Sequence, residues 1–162
     1  MIVADGSRVL IAVRVEASAD RAFWIFTEQI GRWWQPNPLF QFMPNRVGVL
    51  EFESGPDGRL IERYDDGSYF EIGDVRRWEP PSRLVMGWRQ EGFPPDVDTE
   101  LHVRFDELGG DPVCTRVTVE HFGWDRLPPE NAVRHNFPLD VFALRFAQWW
   151  QQQLAALRES AR

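Results

Sequence analysis

The side chains best suited to acid–base or ligand-binding chemistry are one histidine and two glutamates in the middle of the chain. His121 has the same strand parity as Val119, and Glu71 has the same parity as Gly73, so both are expected to face the core. Glu62 lies on a neighbouring run whose pattern leaves its facing open. If His121 met either carboxylate in a buried pocket, the two groups would form an acid and base pair with shifted pKa values.

Each of these residues also has a purely structural interpretation. A histidine at the end of a strand often hydrogen-bonds to backbone, and this alternative stays open for His121. A single β-bulge would reverse the facing of Glu71 or Glu62, and Gly73 is a suitable place for one. Gln153 falls inside the apolar arc of the last helix, where it is expected at a pocket rim or paired with backbone.

Several other chemistries lack the residues they need. Cys114 is the only cysteine, so neither an internal disulfide nor a CxxC site can form. His102 is expected to face outward and His135 lies in a loop, with no metal-ligand spacing around them. The sequence has no Lys for Schiff-base chemistry and no phosphate-cradling glycine motif. We therefore assign no catalytic residue, metal or cofactor from the sequence.

Length and composition fit one soluble domain that spans 1–162. The 162 residues are 43% hydrophobic and 27% charged, with eight Trp and twelve Phe. The net charge is -7, and the positive charges are scattered singly, so nucleic acid is not expected as a partner. Segment 1–8 lacks signal-peptide character and no apolar run could span a bilayer, so we expect no membrane partner and a cytoplasmic location.

The first elements are predicted as strand, cap and helix. A β-branched run over 8–15 is followed by Ser18 as the N-cap and by a helix with one apolar face. That face carries Phe23, Phe26, Thr27 and Ile30. A short helical turn at 32–36 follows and is ended by proline.

The middle of the chain has the two-residue period of antiparallel strands. Gly, Pro and Asp clusters separate six runs, at 47–53, 59–64, 69–78, 83–89, 98–107 and 113–122. In the fifth run Leu101, Val103 and Phe105 alternate with polar residues, which indicates one buried face and one wet face.

From Pro138 to about Arg158 the helical period returns, with a wide arc of apolar and aromatic side chains. Only the concave face of the sheet is large enough to cover this arc. The predicted fold is therefore α+β, with a curved antiparallel sheet of six to seven strands around a long C-terminal helix, in β-α-α-β6-α order. A twisted sheet cannot follow a straight helix along its whole length, so a gap is expected between them, filled by rings or left as a pocket.

Motifs along nearly the whole chain, from about 8 to 157, resemble a known superfamily. Segment 15–23 is similar to its first strand-to-helix passage, and Trp33-Trp34-Gln35-Pro36 is similar to its tryptophan–proline turn. Further segments resemble its central hairpins and last strand, namely 62–67, 73–75, 79–81, 84–88, 115–121 and 123–124. The superfamily is the START-like, helix-grip group that includes polyketide cyclases, in the branch similar to the C-terminal domain of heat-shock ATPase activators. The resemblance implies ligand binding and transfers no catalytic residue.

Three functions follow as hypotheses. The first is binding of a small hydrophobic or aromatic molecule between sheet and helix, by Trp88, Phe105, His121, Phe142, Phe146, Trp149, Glu71 and Glu62. The second is a cyclase, hydratase or hydrolase that uses His121 with Glu62 or Glu71. The third is a co-chaperone-like interaction module with an exposed patch at Trp33 and Trp34. A homodimer or another protein partner is compatible with each of them.

Overall fold

The computed structural model describes residues 2–4, 8–128, 130–131, 134–135 and 137–162. One antiparallel sheet contains eight strands: β1 Ile2–Ala4, β2 Arg8–Val15, β3 Val49–Phe52, β4 Arg59–Arg63, β5 Tyr69–Glu79, β6 Arg83–Trp88, β7 Thr99–Gly109 and β8 Cys114–Phe122. The helices are α1 Ala19–Glu28, α2 Ile30–Trp33, a 3-10 turn Trp124–Arg126 and α3 Leu139–Ser160.

The strands from β3 to β8 form a meander in which each strand pairs with its predecessor. Strand β2 then pairs with β8 along its whole length, which brings the start of the chain beside its last strand. The α+β class, the curled sheet and the β-α-α-β6-α order are thus confirmed. Strand β1 is an addition of three residues on the edge of β2, and it is too short to have shown a periodicity.

Helix α3 supplies one wall of the core, as its apolar arc predicts. Its buried residues are Phe142, Ala143, Phe146, Ala147, Trp149, Trp150, Gln153, Leu154 and Leu157. It packs along β2 and touches α2 and the 3-10 turn. On the opposing sheet Leu101, Val103 and Phe105 are buried, as their alternation predicts. None of the helices among the described residues has the length and hydropathy needed to cross a bilayer.

A β-bulge in β5 overturns the expected facing of Glu71. Leu60 pairs with Gly73 while the next residue, Ile61, pairs with Glu71, so Ile72 is the extra residue. Ile72 is fully buried and Glu71 is exposed, so the prediction that Glu71 faces the core is wrong. Gly73 is required here because a Cβ on it would lie only 1.7 Å from the carbonyl oxygen of Gly87 on β6.

The two short helices cover the other end of the core. Ser18 accepts a hydrogen bond from the backbone of Arg21 and caps α1, as predicted. Trp33 is buried, and its indole N–H donates to the Ile25 carbonyl over 3.0 Å. Trp34 is half-buried against the core, so the predicted exposed patch at Trp33 and Trp34 is wrong. Helix α2, which ends at Trp33, packs against α3.

Candidate ligand cavity

A small cavity lies where the segment between α2 and β3 crosses β4 and α3. Its volume is about 60 Å³. Four aromatic side chains line it, namely Trp34, Phe40, Phe42 and Trp149. Glu62 from β4 is the carboxylate among the lining residues. An apolar chamber with a small number of polar groups is the usual composition of a small-molecule site.

Helix α3 fixes the position of Trp34 through an amide clamp. The Gln153 side chain accepts from the backbone N–H of Gln35 over 2.8 Å and donates to the Gln35 carbonyl over 2.5 Å. The backbone pairing that was one alternative for Gln153 is thereby confirmed. Trp34 then packs edge-on against Trp149, with ring centres 5.2 Å apart and planes at 90°.

A second set of clamps holds the stretch that contains Phe40 and Phe42. The Gln90 side chain donates to the Gln41 carbonyl over 2.7 Å, and the Glu91 backbone donates to the Phe42 carbonyl over 2.8 Å. His135 bonds to the Leu39 carbonyl over 2.6 Å. An open cleft of about 340 Å³ lies beyond this stretch, and Gln41 and Phe42 line both the cleft and the cavity. They therefore form a shared wall.

Glu62 is the polar group with the most unusual environment in the cavity. Glu62 is 6% exposed to solvent, and the Tyr64 hydroxyl donates a hydrogen bond to its Oε1 over 2.6 Å. Burial raises the pKa of the Glu62 carboxyl, while hydrogen bonds from Tyr64 and the Gly48 backbone and the charge of Arg46 oppose the rise. Arg46 lies 3.9 Å above the Tyr64 ring. Burial therefore favours the protonated form of this carboxyl group.

His121 belongs to the core and not to the cavity wall. Its Nδ1 accepts from the Trp150 indole over 3.3 Å. Its Nε2 lies 2.7 Å from the Thr99 hydroxyl, which itself donates to the Trp88 carbonyl, so Nε2 must carry the proton. Desolvation lowers the pKa of His121 well below its usual value, and the ring stays neutral. Both nitrogens are thus occupied by structural bonds.

The structure separates the residues that the sequence suggested as one ligand site. Trp88 and Phe146 contact the His121 ring in the packed core, and Phe142 is buried against Phe146. Phe105 lies against Phe23 on α1. Of the eight suggested residues, Glu62 and Trp149 line the cavity. His121 makes its hydrogen bonds to Thr99 and Trp150, away from either glutamate, and Glu71 lies on the outer face.

Three buried indoles have no hydrogen-bond acceptor among the described residues. They are Trp88, Trp124 and Trp149. Buried indole N–H groups normally find a partner, as those of Trp33 and Trp150 do here. Trp149 differs from the other two because it also lines the cavity. Within the described residues no group of His, Cys, Asp or Glu could hold a metal ion.

Sequence reasoning missed three aromatic residues of the cavity wall and the tyrosine that bonds to Glu62. Trp34, Phe40 and Phe42 were not proposed as ligand contacts, because their segment has no regular period. Tyr64 did carry a usable signal, since it lies two residues after Glu62 and therefore on the same face of the strand.

Comparison with solved structures places this architecture among known proteins. The self-sacrificing resistance protein CalC from Micromonospora echinospora has a TM-score of 0.60 and 24% identity, over 96% of this chain and 94% of CalC. An HSP90 activator from Plasmodium falciparum has a TM-score of 0.60 and 16% identity, over 90% of this chain and 89% of the activator. Both likenesses show the fold alone.

A nearer sequence match is the anthrahydroquino-γ-pyrone synthase Txn09, solved in a complex with SUM. It is 30% identical, with a TM-score of 0.54, over 86% of this chain and 98% of Txn09. No curated protein matches the sequence.

The model of one protein family covers nearly the whole chain. The family is described as activator of Hsp90 ATPase homolog 1-like protein, and its model matches residues 16–161. This match confirms the superfamily that the sequence motifs indicated. The chain belongs to the activator of Hsp90 ATPase homolog 1-like family.

Proposed function

We propose that this protein binds a small aromatic molecule in the cavity between the shared wall, β4 and α3. The observation that carries the proposal is the composition of the wall, which combines the aromatic rings of Trp34, Phe40, Phe42 and Trp149 with the carboxyl group of Glu62. Rings of this kind bind a flat apolar molecule by stacking and edge contacts. The carboxyl group of Glu62 fixes the orientation of the bound molecule through a hydrogen bond.

The relationship to Txn09 supports an aromatic ligand. That protein is named for a polycyclic aromatic product and was solved in a complex. Its match covers 86% of this chain and 98% of Txn09. We infer the ligand class from the 30% sequence identity to Txn09 and not from the fold, because one fold can serve many functions.

The ligand enters by displacing part of the wall. The cavity of about 60 Å³ is smaller than the engineered cavity of about 150 Å³ that accepts benzene. Phe42 separates the cavity from the open cleft, so its movement adds the missing space. Burial of roughly 200 Å² of apolar surface yields about 5 kcal/mol, and association costs reduce this to micromolar or weaker affinity.

Blocking the cavity provides the test. Leu50 lines the cavity, so Leu50→Phe fills it, and we expect the affinity for ethylbenzene and 4-hydroxyacetophenone to fall about tenfold or more. Leu144→Phe on the exposed side of α3 is the matched control and keeps the affinity of the parent protein. Isothermal titration calorimetry measures both. Absence of saturable binding of either compound to the parent protein would overturn the proposal.

A second candidate is a cyclase-type enzyme in which Glu62 alone is the acid–base group. The raised pKa of Glu62 inside an aromatic cavity favours it, because proton transfer next to a carbonyl needs such a group. His121 takes no part, since both of its nitrogens are bonded. Glu62→Gln is then expected to retain aromatic binding and to lose cyclisation of an aromatic polyketone, followed by mass spectrometry. Equal turnover by the variant and the parent protein contradicts this role.

A further inference from the structure

We propose that an extended acidic peptide of a partner protein binds to this chain as an added β-strand along the free edge of β2. This edge and the groove beside it share no lining residue with the aromatic cavity, so the inference is independent of the proposed function. Its basis is an unpaired strand edge, a groove along that edge, and two arginines without acidic partners.

Part of one edge of β2 has no neighbouring strand among the described residues. Strand β1 pairs with residues 9–11 of β2, and the sheet order places no further strand on that side. On the other side β2 is paired with β8 along its whole length. Residues 13–15 therefore present alternate backbone N–H and C=O groups to which an extended chain can bond.

Two openings beside this edge form one groove between β2 and the exposed side of α3, here called the edge groove. Their volumes are about 380 Å³ and about 240 Å³, and Arg158 lines both of them. Residues 11–16 line the edge groove in succession. Val13 is only half-buried, whereas Ile11 and Val15, which share its parity, are 2% and 1% exposed. An apolar side chain of a bound strand would cover Val13.

The helix side of the edge groove offers both amide groups and apolar surface. The Gln151 and Gln152 side chains are exposed and bond to none of the described residues. An amide side chain can donate to and accept from the backbone of a peptide strand. Leu154 and Ala155 line the same opening as Val13 and add apolar surface. A bound strand thus has bonding partners on both of its edges.

The charge of the edge groove favours an acidic strand. Arg14 and Arg158 line it, and neither has an acidic partner among the described residues. Arg162 also lines it but is paired with Glu159 over 3.7 Å. Glu16 is the acidic residue of the lining. The excess of positive charge is local, because the whole chain has a net charge of -7. Such a contrast attracts an acidic segment to this edge.

The position of Arg14 in the sheet shows where the acidic residue should lie. Arg14 lies directly opposite Arg116 on β8, and Arg116 lies opposite Asp106 on β7. Like charges in opposed positions repel each other, whereas an opposite charge is favourable there. An acidic residue opposite Arg14 would therefore relieve the repulsion. A second copy of this chain fits poorly, because antiparallel pairing of two β2 edges would bring the Arg14 side chains together.

An antiparallel strand that continues the line of β1 defines the order of residues in the peptide. Directly opposed residues share a face of the sheet. The residue opposite Val13 therefore faces α3 and should be apolar. The residue opposite Arg14 should be acidic, and the residue opposite Val15, on the side of Arg158, should be acidic as well. The peptide acetyl-Thr-Ser-Glu-Glu-Val-Thr-amide has this order.

Calorimetric titration of this peptide into the full chain is the first test. We expect saturable binding that weakens as salt is added, because the contributing charges are exposed. The peptide acetyl-Thr-Ser-Lys-Lys-Val-Thr-amide should bind at least tenfold more weakly. Absence of saturable binding, or equal binding of the lysine peptide, overturns the proposal.

Backbone methylation distinguishes an added strand from simple attraction between charges. One glutamate peptide carries N-methyl groups at its second and fourth residues, and another carries them at its third and fifth. Because alternate N–H groups point to opposite edges of a strand, one of the two peptides should lose about tenfold or more in affinity and the other no more than about threefold. Equal affinities of the two methylated peptides contradict strand addition.

A charge exchange tests the register. Arg14→Glu should weaken binding of the glutamate peptide about tenfold, and acetyl-Thr-Ser-Glu-Lys-Val-Thr-amide, with lysine opposite position 14, should restore it. Arg77→Glu makes the same change at an exposed site on β5, four strands away, and should leave the affinity unchanged. If Arg14→Glu and the parent protein prefer the same peptide, the register is wrong. Sedimentation equilibrium of the parent protein adds a further check, since a dimer that Arg14→Glu alters would assign this edge to a second copy and overturn the proposal.

Discussion

At the scale of single residues, Glu62 couples the cavity to pH. Burial favours the protonated carboxyl, so the folded protein holds this proton more tightly than the unfolded chain does. The stability that Glu62 contributes is fully present below its ordinary pKa of 4.5 and is lost as the pH rises through the raised folded pKa. An ionised Glu62 carboxylate in this buried position therefore lowers the stability of the fold.

The variant Glu62→Gln should reveal this cost. Because glutamine stays neutral, the free energy of unfolding of the variant minus that of the parent protein should increase from about pH 4.5 upward. The difference should level off once Glu62 has ionised. Urea denaturation at a series of pH values measures it. Glu71→Gln removes the same charge from the exposed side of the sheet, and subtracting its effect leaves the part due to burial. A difference that falls with pH contradicts the assignment.

At the scale of elements, the bulge in β5 turns Glu71 away from the core. Ile72 is the extra residue, and its insertion turns Glu71 outward while Glu62 on β4 stays buried. Gly73 permits this arrangement because its Cα passes close to the backbone of Gly87. The bulge therefore places Ile72 in the core and leaves Glu71 exposed.

Replacement of Gly73 by alanine should disrupt the contact between β5 and β6. The new Cβ would lie 1.7 Å from the Gly87 carbonyl oxygen, so the two strands must move apart. We expect the free energy of unfolding to fall by about 3 kcal/mol or more. Gly67→Ala is a useful comparison. The φ of +86° at Gly67 strains alanine, but no atom lies within 4 Å of the new Cβ. We therefore expect the free energy of unfolding to fall by only about 1–2 kcal/mol. Thermal and urea unfolding test both, and equal losses would argue against the close approach.

Parts of the fold that have a regular period were predictable, and parts held by distant contacts were not. The alternation of Leu101, Val103 and Phe105 and the apolar arc of α3 gave correct facings because period and burial coincide. The facing of Glu71 was wrong because a bulge leaves no periodic signal. The cavity depends on clamps between residues far apart in sequence, such as Gln153 with Gln35, which a single sequence cannot reveal.

At the scale of the whole molecule, ligand binding should stabilise the fold. A ligand at one hundred times its dissociation constant adds about 2.7 kcal/mol, which for a chain of this length raises Tm by roughly 5–10 °C. Differential scanning calorimetry with 4-hydroxyacetophenone measures the shift. Leu50→Phe should show little or none at the same concentration, because its cavity is filled. Equal shifts in the two proteins would place binding elsewhere.

The wall formed by Gln41 and Phe42 is one stretch of chain, with the small cavity on one side and the open cleft on the other. The remaining boundaries of the cavity include paired strands and a 22-residue helix, which resist displacement. Expansion is therefore directional, and a ligand longer than one ring would extend outward through the wall with its far end in water. Selectivity would then be strict for the inner ring and permissive for whatever is attached to its outer edge.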